Sequence, residues 1–334
     1  MDIVIREKNN GRYKILLQVE EAVKNYLKQQ QYLEIKVPLL SPVLIPESYL
    51  EIFKTQYVFL DKTSDLFLTP SPELFLKRLL AKGIGNCFSF GESFRNSEPA
   101  SSLHSSEFTM LEFYKVGAKY LDIADEVLTL LQYIAKVLNG THKVVHQGKT
   151  ISFDQWERIT VVEAFSKYAS IAENELFNPR KFIKRAEEKN YNVLGFTYED
   201  IFSQIYAQEV EPHLGVNGFP TLIYDYPKEF AALAKLNPDS KTAQRFEFYI
   251  AGVELGDCYT ELTNWKEQSA RFKKEEKKRK DSQKIIHPID KEYIKILQYG
   301  LPSCAGIAIG FDRLAMIFAN ATSIHDLRLI NIID

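Results

Sequence analysis

The chain of 334 residues is 45% hydrophobic and 26% charged, enough apolar material for a substantial core and too much for a disordered protein. A formal charge of -2 argues against a main task of coating nucleic acid, while leaving room for a local basic patch. The cysteines, Cys87, Cys258 and Cys304, are scattered without a CxxC or His-Cys grouping, which speaks against zinc and against a disulfide framework. The N-terminus has no signal-type apolar run, and nowhere do about 20 apolar residues follow one another. The expectation is a cytoplasmic protein with no membrane segment.

In chain order, Ile15, Leu16, Val19, Val23, Tyr26 and Leu27 recur at helical spacing and predict a helix from about Tyr13 to Gln30. Tyr32 to Pro38 reads as a strand ending at proline. Tyr57–Leu60 and Leu66–Thr69 read as a hairpin. Ser71-Pro72-Glu73 then opens a helix through about Lys82, with a small polar cap, an early proline and an acidic first turn. Asn86 to Arg95 and Glu107 to Val116 are strand-like around a Ser/Pro/Ala-rich loop, and a helix follows from about Leu121 to Leu138. Residues 140–215 change character: a short hairpin (Lys143 to Phe153) precedes helices near 160–168, 178–189 and 197–209, with no motif of chemistry. Strands return at Thr221–Tyr226 and over Arg245 to Leu262. Helices are then expected from Trp265 to Lys280 and from Asp290 to Gly300, and a glycine-interrupted strand runs into a last helix from Asp312 to about Asn320. Runs of strands with helices between them predict an α+β fold on a mainly antiparallel sheet, as a single domain of residues 1–334 with a mostly helical insertion around 140–215.

Two stretches carry the chemistry. One is Phe94-Arg95-Asn96, followed after a polar loop by His104 to Tyr114; the other is Gly306-Ile-Ala308-Ile-Gly310-Phe311-Asp312-Arg313-Leu314. A planar guanidinium forks onto phosphate oxygens or stacks on a base, and each stretch sets one arginine beside strand structure. A loop flanked by two strands can lay a nucleotide across a sheet, with Phe108 available for stacking on a base. The Gly306/Gly310 spacing would let the backbone approach a ligand closely. A third group is acidic: Glu247, Glu254, Asp257 and Glu261. On one unbroken strand Glu247 and Glu261 would share a face, and a bulge at Gly252 or Gly256 would bring Glu254 to them. Such carboxylates suit Mg²⁺ on ATP phosphates, or a cationic substrate; the bland alternative is a solvated polar face.

These stretches resemble motifs 2 and 3 of the class II aminoacyl-tRNA synthetases, with Tyr32 to Pro38 similar to motif 1. The lysyl branch fits best, through Ser71 to Leu80, Arg245 to Glu247 and Glu254 to Leu262. The resemblance covers nearly the whole chain. It implies ATP and Mg²⁺, with Arg95 on the α-phosphate and Arg313 at the γ-phosphate end as the catalytic pair. Phe108 would stack on adenine, and Glu98, Ser105, Glu254, Leu255 and Gly310 would complete the ATP site. Glu247 and Glu254 would be the metal ligands. Ser71 and Glu73 would meet the substrate amino group; Glu112, Tyr114 and Glu261 would clamp a distal ammonium, with Asp257 and Ala308 nearby. A buried ammonium needs such anionic partners, because its desolvation costs several kcal/mol.

Within that branch the chain is similar to the paralogues that attach lysine or β-lysine to elongation factor P. Only about ten residues precede the first helix, which leaves no place for an anticodon-binding domain, and motif 3 has Ala308 where the synthetases have glycine. The resemblance then implies aminoacyl-adenylate formation and transfer to a protein lysine, in a homodimer built through motif 1, with tRNA not expected as a partner. A minimal lysyl-tRNA synthetase and a non-catalytic regulatory paralogue are the alternatives. The motif 2 loop departs from the family, with Arg95-Asn96-Ser97-Glu98 in place of Arg-x-Glu and no basic residue just before His104. Asp257 stands in place of asparagine and Cys258 in place of glycine. The charge run Arg271 to Lys284 reads as a solvated helix face. A docking surface for an acidic partner is the other reading of that run.

Overall fold

The structure, a computed structural model, describes residues 2–97 and 101–333, so Glu98 lies outside the described residues. The chain divides into two compact units, Met1–Ala118 with Glu261–Asp334, and Lys119–Thr260. Residues 140–215 fall inside the second unit.

The first unit opens with β1 (Asp2–Ile5) and helix α1 (Asn10–Gln29), whose Val19, Ala22, Val23, Tyr26 and Leu27 are buried at helical spacing. Short strands β2 (Leu33–Glu34) and β3 (Leu40–Ser41) follow, then the hairpin β4 (Lys54–Phe59) and β5 (Lys62–Leu68). The predicted motif 1 strand is therefore only two residues long. Helix α2 (Glu73–Leu80) starts after Pro72, whose backbone is already helical at φ -68°, ψ -14°. Strands β6 (Cys87–Phe94) and β7 (Glu107–Val116) match the predicted pair.

The second unit contains α3 (Tyr120–Asn139), the hairpin β8 (Lys143–His146) and β9 (Lys149–Ser152), and a strand not foreseen, β10 (Glu157–Thr160). Helices α4 (Val161–Ala169), α5 (Glu173–Leu176), α6 (Pro179–Glu188) and α7 (Tyr198–Ile205) come next, and α7 runs into a π-helical turn at Tyr206–Val210. Strands β11 (Thr221–Pro227), β12 (Thr242–Ile250) and β13 (Val253–Thr260) finish this unit. β10 pairs parallel with β11, while β11–β12 and β12–β13 are antiparallel. Phe165, Phe182, Phe202 and Ile205 anchor the apolar core beneath the helices.

The chain returns to the first unit through α8 (Trp265–Asp281), α9 (Lys291–Tyr299), β14 (Cys304–Gly310), α10 (Phe311–Phe318) and β15 (Ile330–Ile333). β15 pairs with β1, a pairing of the two chain ends that the sequence did not suggest. In the main sheet of this unit β7 lies between β6 and β14, antiparallel to both, and β2 adds in parallel beyond β6. The expected α+β class with a mainly antiparallel sheet flanked by helices is what each unit shows.

Register divides that sheet into two chemically distinct faces. Phe88, Phe113 and Ile307 align on one face, as do Phe90, Leu111 and Ile309. This apolar face is covered from α1 and α10, with Phe90 edge-on to Phe311 at 4.9 Å. The opposite face carries Ser89, Glu112 and Ala308 in one row and Cys87, Tyr114 and Gly306 in the next.

The charge run is not a wholly solvated face. Arg279 on α8 is only 2% exposed, and its guanidinium donates to the carbonyls of Glu47 at 2.7 Å, Leu50 at 2.6 Å and Ile285 at 2.6 Å. Glu275, one turn earlier, accepts from the backbone N–H of Ser48 at 3.0 Å. Helix α8 thus straps down the 47–51 loop, and α2 begins nearby. Arg279→Met keeps most of the volume but orphans three carbonyls, so urea unfolding should show a loss of about 3 kcal/mol. Lys280→Met, on the exposed side of the same helix, should change stability by less than about 0.5 kcal/mol.

Candidate active site

The two predicted arginines leave the same end of one sheet. Arg95 follows β6, whose last residue Phe94 pairs with Glu107 at the start of β7; Arg313 follows β14, whose last residue Gly310 pairs with Met110. Between them stands Phe108, on the face that carries Glu112 and Tyr114, and the Arg95 guanidinium lies 5.2 Å from its ring centroid. The Arg95 Nε is buried and has no hydrogen-bond partner among the described residues, a donor prepared for an anion. Arg313 is held by the motif 2 loop: its Nε donates to the Leu103 carbonyl at 3.1 Å, and its guanidinium lies 2.9 Å from His104 Nε2. His104 Nδ1 in turn lies 2.8 Å from Ser101 Oγ. His104, given no role from the sequence, therefore helps to orient Arg313. Ser105 receives a hydrogen bond from Arg328 at 3.3 Å, and the same arginine donates to the Glu107 carbonyl at 2.7 Å. Asp312 accepts from the Thr109 N–H at 2.9 Å, tying motif 3 to the start of β7.

Deeper on the same face is a buried ionic cluster. Lys77 is completely buried, and its ammonium lies 2.5 Å from Glu73 Oε1 and 2.6 Å from Glu261 Oε2. Burial alone would pull the Lys77 pKa down, but Glu261 and Glu73 more than offset it and hold the ammonium charged. Glu112 is 2% exposed; Tyr114 donates to its Oε1 at 2.5 Å, and its Oε2 is buried with no hydrogen-bond partner among the described residues. Desolvation first, and the Glu73 charge second, push the Glu112 carboxyl well above its ordinary range. Ser71 Oγ accepts from the Glu73 N–H at 3.3 Å. Ser71, Glu73 and Thr69 line a small cavity with Leu44 and Glu47. Glu47, which the sequence did not single out, is pushed up to about 7 by desolvation and by Glu73, against the pull of Arg95. Ala308 sits directly across from Glu112.

Gly306 answers a packing need of its own. A Cβ there would lie 2.2 Å from the Tyr114 ring, so the glycine makes room for the tyrosine that donates to Glu112.

The acidic stretch also differs from expectation. Residues 245–262 are not one strand: Ala251 (φ 54°) and Gly252 (φ 78°) turn the chain between β12 and β13. Glu247 and Glu261 therefore do not share a strand, and Glu261 belongs to the first unit. In the second unit the hairpin does gather carboxylates. Glu247 pairs with Asp257 and Tyr249 with Glu254, and the register slips between Phe248 and Tyr249, leaving the buried Leu255 as the extra residue. Glu247, Glu254 and Asp257 thus lie on one face. Arg245 bridges Asp257 at 2.9 Å and Glu247 at 3.0 Å, while Tyr249 donates to Glu247 at 3.0 Å. The π-helical turn brings Tyr206 within 3.4 Å of the same carboxylate. Glu247 and Glu254, carboxylates on one face of this hairpin, are oxygen donors of the hard kind that Mg²⁺ takes.

A strand–loop–strand arginine and a strand–helix arginine on one antiparallel sheet, above a buried acidic cluster, place the chain in a known group. Residues 1–330 match the family of tRNA synthetases class II (D, K and N), and the chain belongs to that family. It is 31% identical over 332 residues to the lysine–tRNA ligase of Staphylococcus epidermidis, across 98% of this chain and 66% of that protein. The lysine–tRNA ligase of Staphylococcus aureus strain MRSA252 is similar to the same extent. The chain thus spans just under two thirds of the length of these relatives. Among the described residues no helix is long and apolar enough to cross a membrane.

Two measurements probe the buried cluster. Gly306→Ala should cost about 2 kcal/mol in urea unfolding, and Tyr114→Ala in the same chain should recover part of that loss, because the clash needs both groups. Glu112→Gln should gain stability relative to the parent as pH rises above the ordinary carboxylate range, with the difference shrinking in acid. The sign follows from a folded-state pKa above the unfolded one. The native chain keeps a proton that the unfolded chain sheds above its ordinary carboxylate range, so Glu112 costs stability as pH rises, and glutamine removes that cost. An unchanging difference across pH would contradict the assignment.

Proposed function

We propose that this protein activates lysine or β-lysine with ATP, forming the aminoacyl-adenylate and pyrophosphate, and passes the aminoacyl group to a lysine side chain of elongation factor P. The observation that carries the activation step is the buried cluster of Glu73 on α2, Glu112 and Tyr114 on β7, and Glu261, against the sheet whose end bears Arg95 and Arg313. Carboxylates sealed from water suit a substrate with cationic ends, and the arginines suit polyphosphate. The substrate carboxylate attacks the α-phosphorus, with Arg95 neutralising the charge that builds there and Arg313 holding the far phosphate. No side-chain nucleophile is needed, since orientation and charge compensation supply the rate. Ser71 and Glu73 receive the α-ammonium, and Glu112, Tyr114 and Glu261 the distal one. Glu247 and Glu254 would hold Mg²⁺, which when bound screens phosphate charge.

Ala308, directly across from Glu112, supports the elongation factor P acceptor, because an added methyl there reshapes the amino-acid end of the site. The names of the relatives favour a second acceptor, tRNA. Exposed Leu33, Leu39 and Leu40 around motif 1 support a homodimer, and the function belongs in the cytoplasm.

Amino-acid-dependent ATP–pyrophosphate exchange tests the first step. Exchange should occur with lysine or β-lysine, and Arg95→Ala or Arg313→Ala should lower it at least about a hundredfold. The acceptor is read by incubating the protein with ATP, the amino acid and either elongation factor P or tRNA. A mass gain of one aminoacyl residue on the factor is expected; charging of tRNA alone would transfer the assignment to a minimal lysyl-tRNA synthetase.

A further inference from the structure

The buried cluster is out of electrical balance. Glu73, Glu112 and Glu261 bring three carboxylates into it, and Lys77 brings one ammonium, already shared by two of them. Burying an uncompensated carboxylate is costly, and the group neutralises itself instead by keeping its proton. The geometry says which one does so. Glu112 faces Tyr114 through Oε1, while Oε2 is buried with no hydrogen-bond partner among the described residues, and the ammonium of Lys77 is committed to Glu73 and Glu261. The other groups around it are Cys87 on β6 and Ser89, its cross-strand neighbour, neither of which carries charge to balance it. Tyr293 and Cys304 face the Lys77–Glu261 side of the cluster, and Glu47 faces Glu73. Burial and the Glu73 charge both favour the neutral acid at Glu112 in the empty site.

We infer that the cluster takes up its diamino acid in exchange for a proton: a ligand ammonium meets Glu112 Oε2, and the carboxyl proton leaves for solvent. The O–H bond of Glu112 breaks, its electron pair stays on the carboxylate, and an ammonium–carboxylate ion pair replaces the neutral acid. The inference rests on the amino-acid activation reading, and it adds a selection rule. A monoamino acid of equal length brings no second cation, cannot displace the proton, and leaves a buried acid against an apolar chain. Affinity for the diamino acid rises with pH, up to about tenfold per unit, over the range in which free Glu112 is protonated.

Calorimetric titration of the whole protein with L-lysine, repeated at one pH near neutrality in buffers of different ionisation enthalpy, measures the protons released. Proton release on lysine binding is expected from the parent chain; it should be lost in Glu112→Gln and retained in Glu47→Gln. Tyr114→Phe, which removes the donor that favours the carboxylate, should move the pH profile of lysine affinity upward. It gives a second reading if Glu112→Gln fails to fold or bind. Lysine binding without buffer dependence would overturn the inference and leave amino-acid activation standing. Release that survives Glu112→Gln, or disappears with Glu47→Gln, would overturn the assignment to Glu112, as would an unmoved profile in Tyr114→Phe. Failure of both lysine and β-lysine to bind would overturn the activation reading itself, and the proton exchange with it.

Discussion

A single buried ammonium organises the first unit. Lys77 bridges Glu73, one turn before it on α2, and Glu261, which reaches it from the far side of the sequence. A lysine wholly removed from water is tolerable only with such partners, and the partners are tolerable only with the lysine. This mutual dependence fixes where α2 lies, where the chain re-enters after the second unit, and how many negative charges the cluster leaves uncompensated. It also leaves Glu112 without a cation of its own. The oxygen left without a hydrogen-bond partner among the described residues would be a defect in a structural core; in the proposed site it would meet a cation.

The sheet supplies the rest by alternation. The apolar row of Phe88, Phe113 and Ile307 faces the helices, so its neighbours must face the other way, and those neighbours are the residues of the proposed site. A slip of one residue in β7 would send Glu112 and Tyr114 into the core and Phe113 into the ligand site. Hydrophobic packing on one face therefore sets the accuracy of chemistry on the other. The hydrogen bond from Thr109 to Asp312 adds a pin at the end where both arginines emerge.

What the sequence made legible was local. The helix over 10–29, the strands flanking the motif 2 loop and the strand–helix step at Gly310–Phe311 follow from periodicity and glycine placement, and all are present. What escaped depended on partners far along the chain. Asp2–Ile5 and Ile330–Ile333 are too short to announce themselves and are strands only because they meet each other. β10 is four residues whose parallel partner lies beyond four helices. The turn at Ala251–Gly252 was missed because alanine rarely occupies positive φ, so 245–262 reads as continuous. Lys77 looks like any helical lysine until Glu261 is placed beside it, and Arg279 looks solvated until the carbonyls of the 47–51 loop arrive. The arginines, the stacking phenylalanine and the acidic residues were named from motif resemblance; the charge imbalance among them appears only in three dimensions.

The first unit is interrupted by the entire second one, which has consequences during synthesis. When the ribosome has delivered β7, the strand that completes its other edge has not yet been made, nor has the counter-ion that Lys77 shares with Glu73. The nascent chain must hold an open hydrogen-bonding edge and a half-neutralised ammonium in suspense while the whole of Lys119–Thr260 is translated. Ribosomes stalled inside that stretch would release fragments with a sticky edge, natural clients for chaperones. Slow codons late in the message would prolong the exposure, whereas the second unit, continuous in sequence, can close as soon as it clears the exit tunnel.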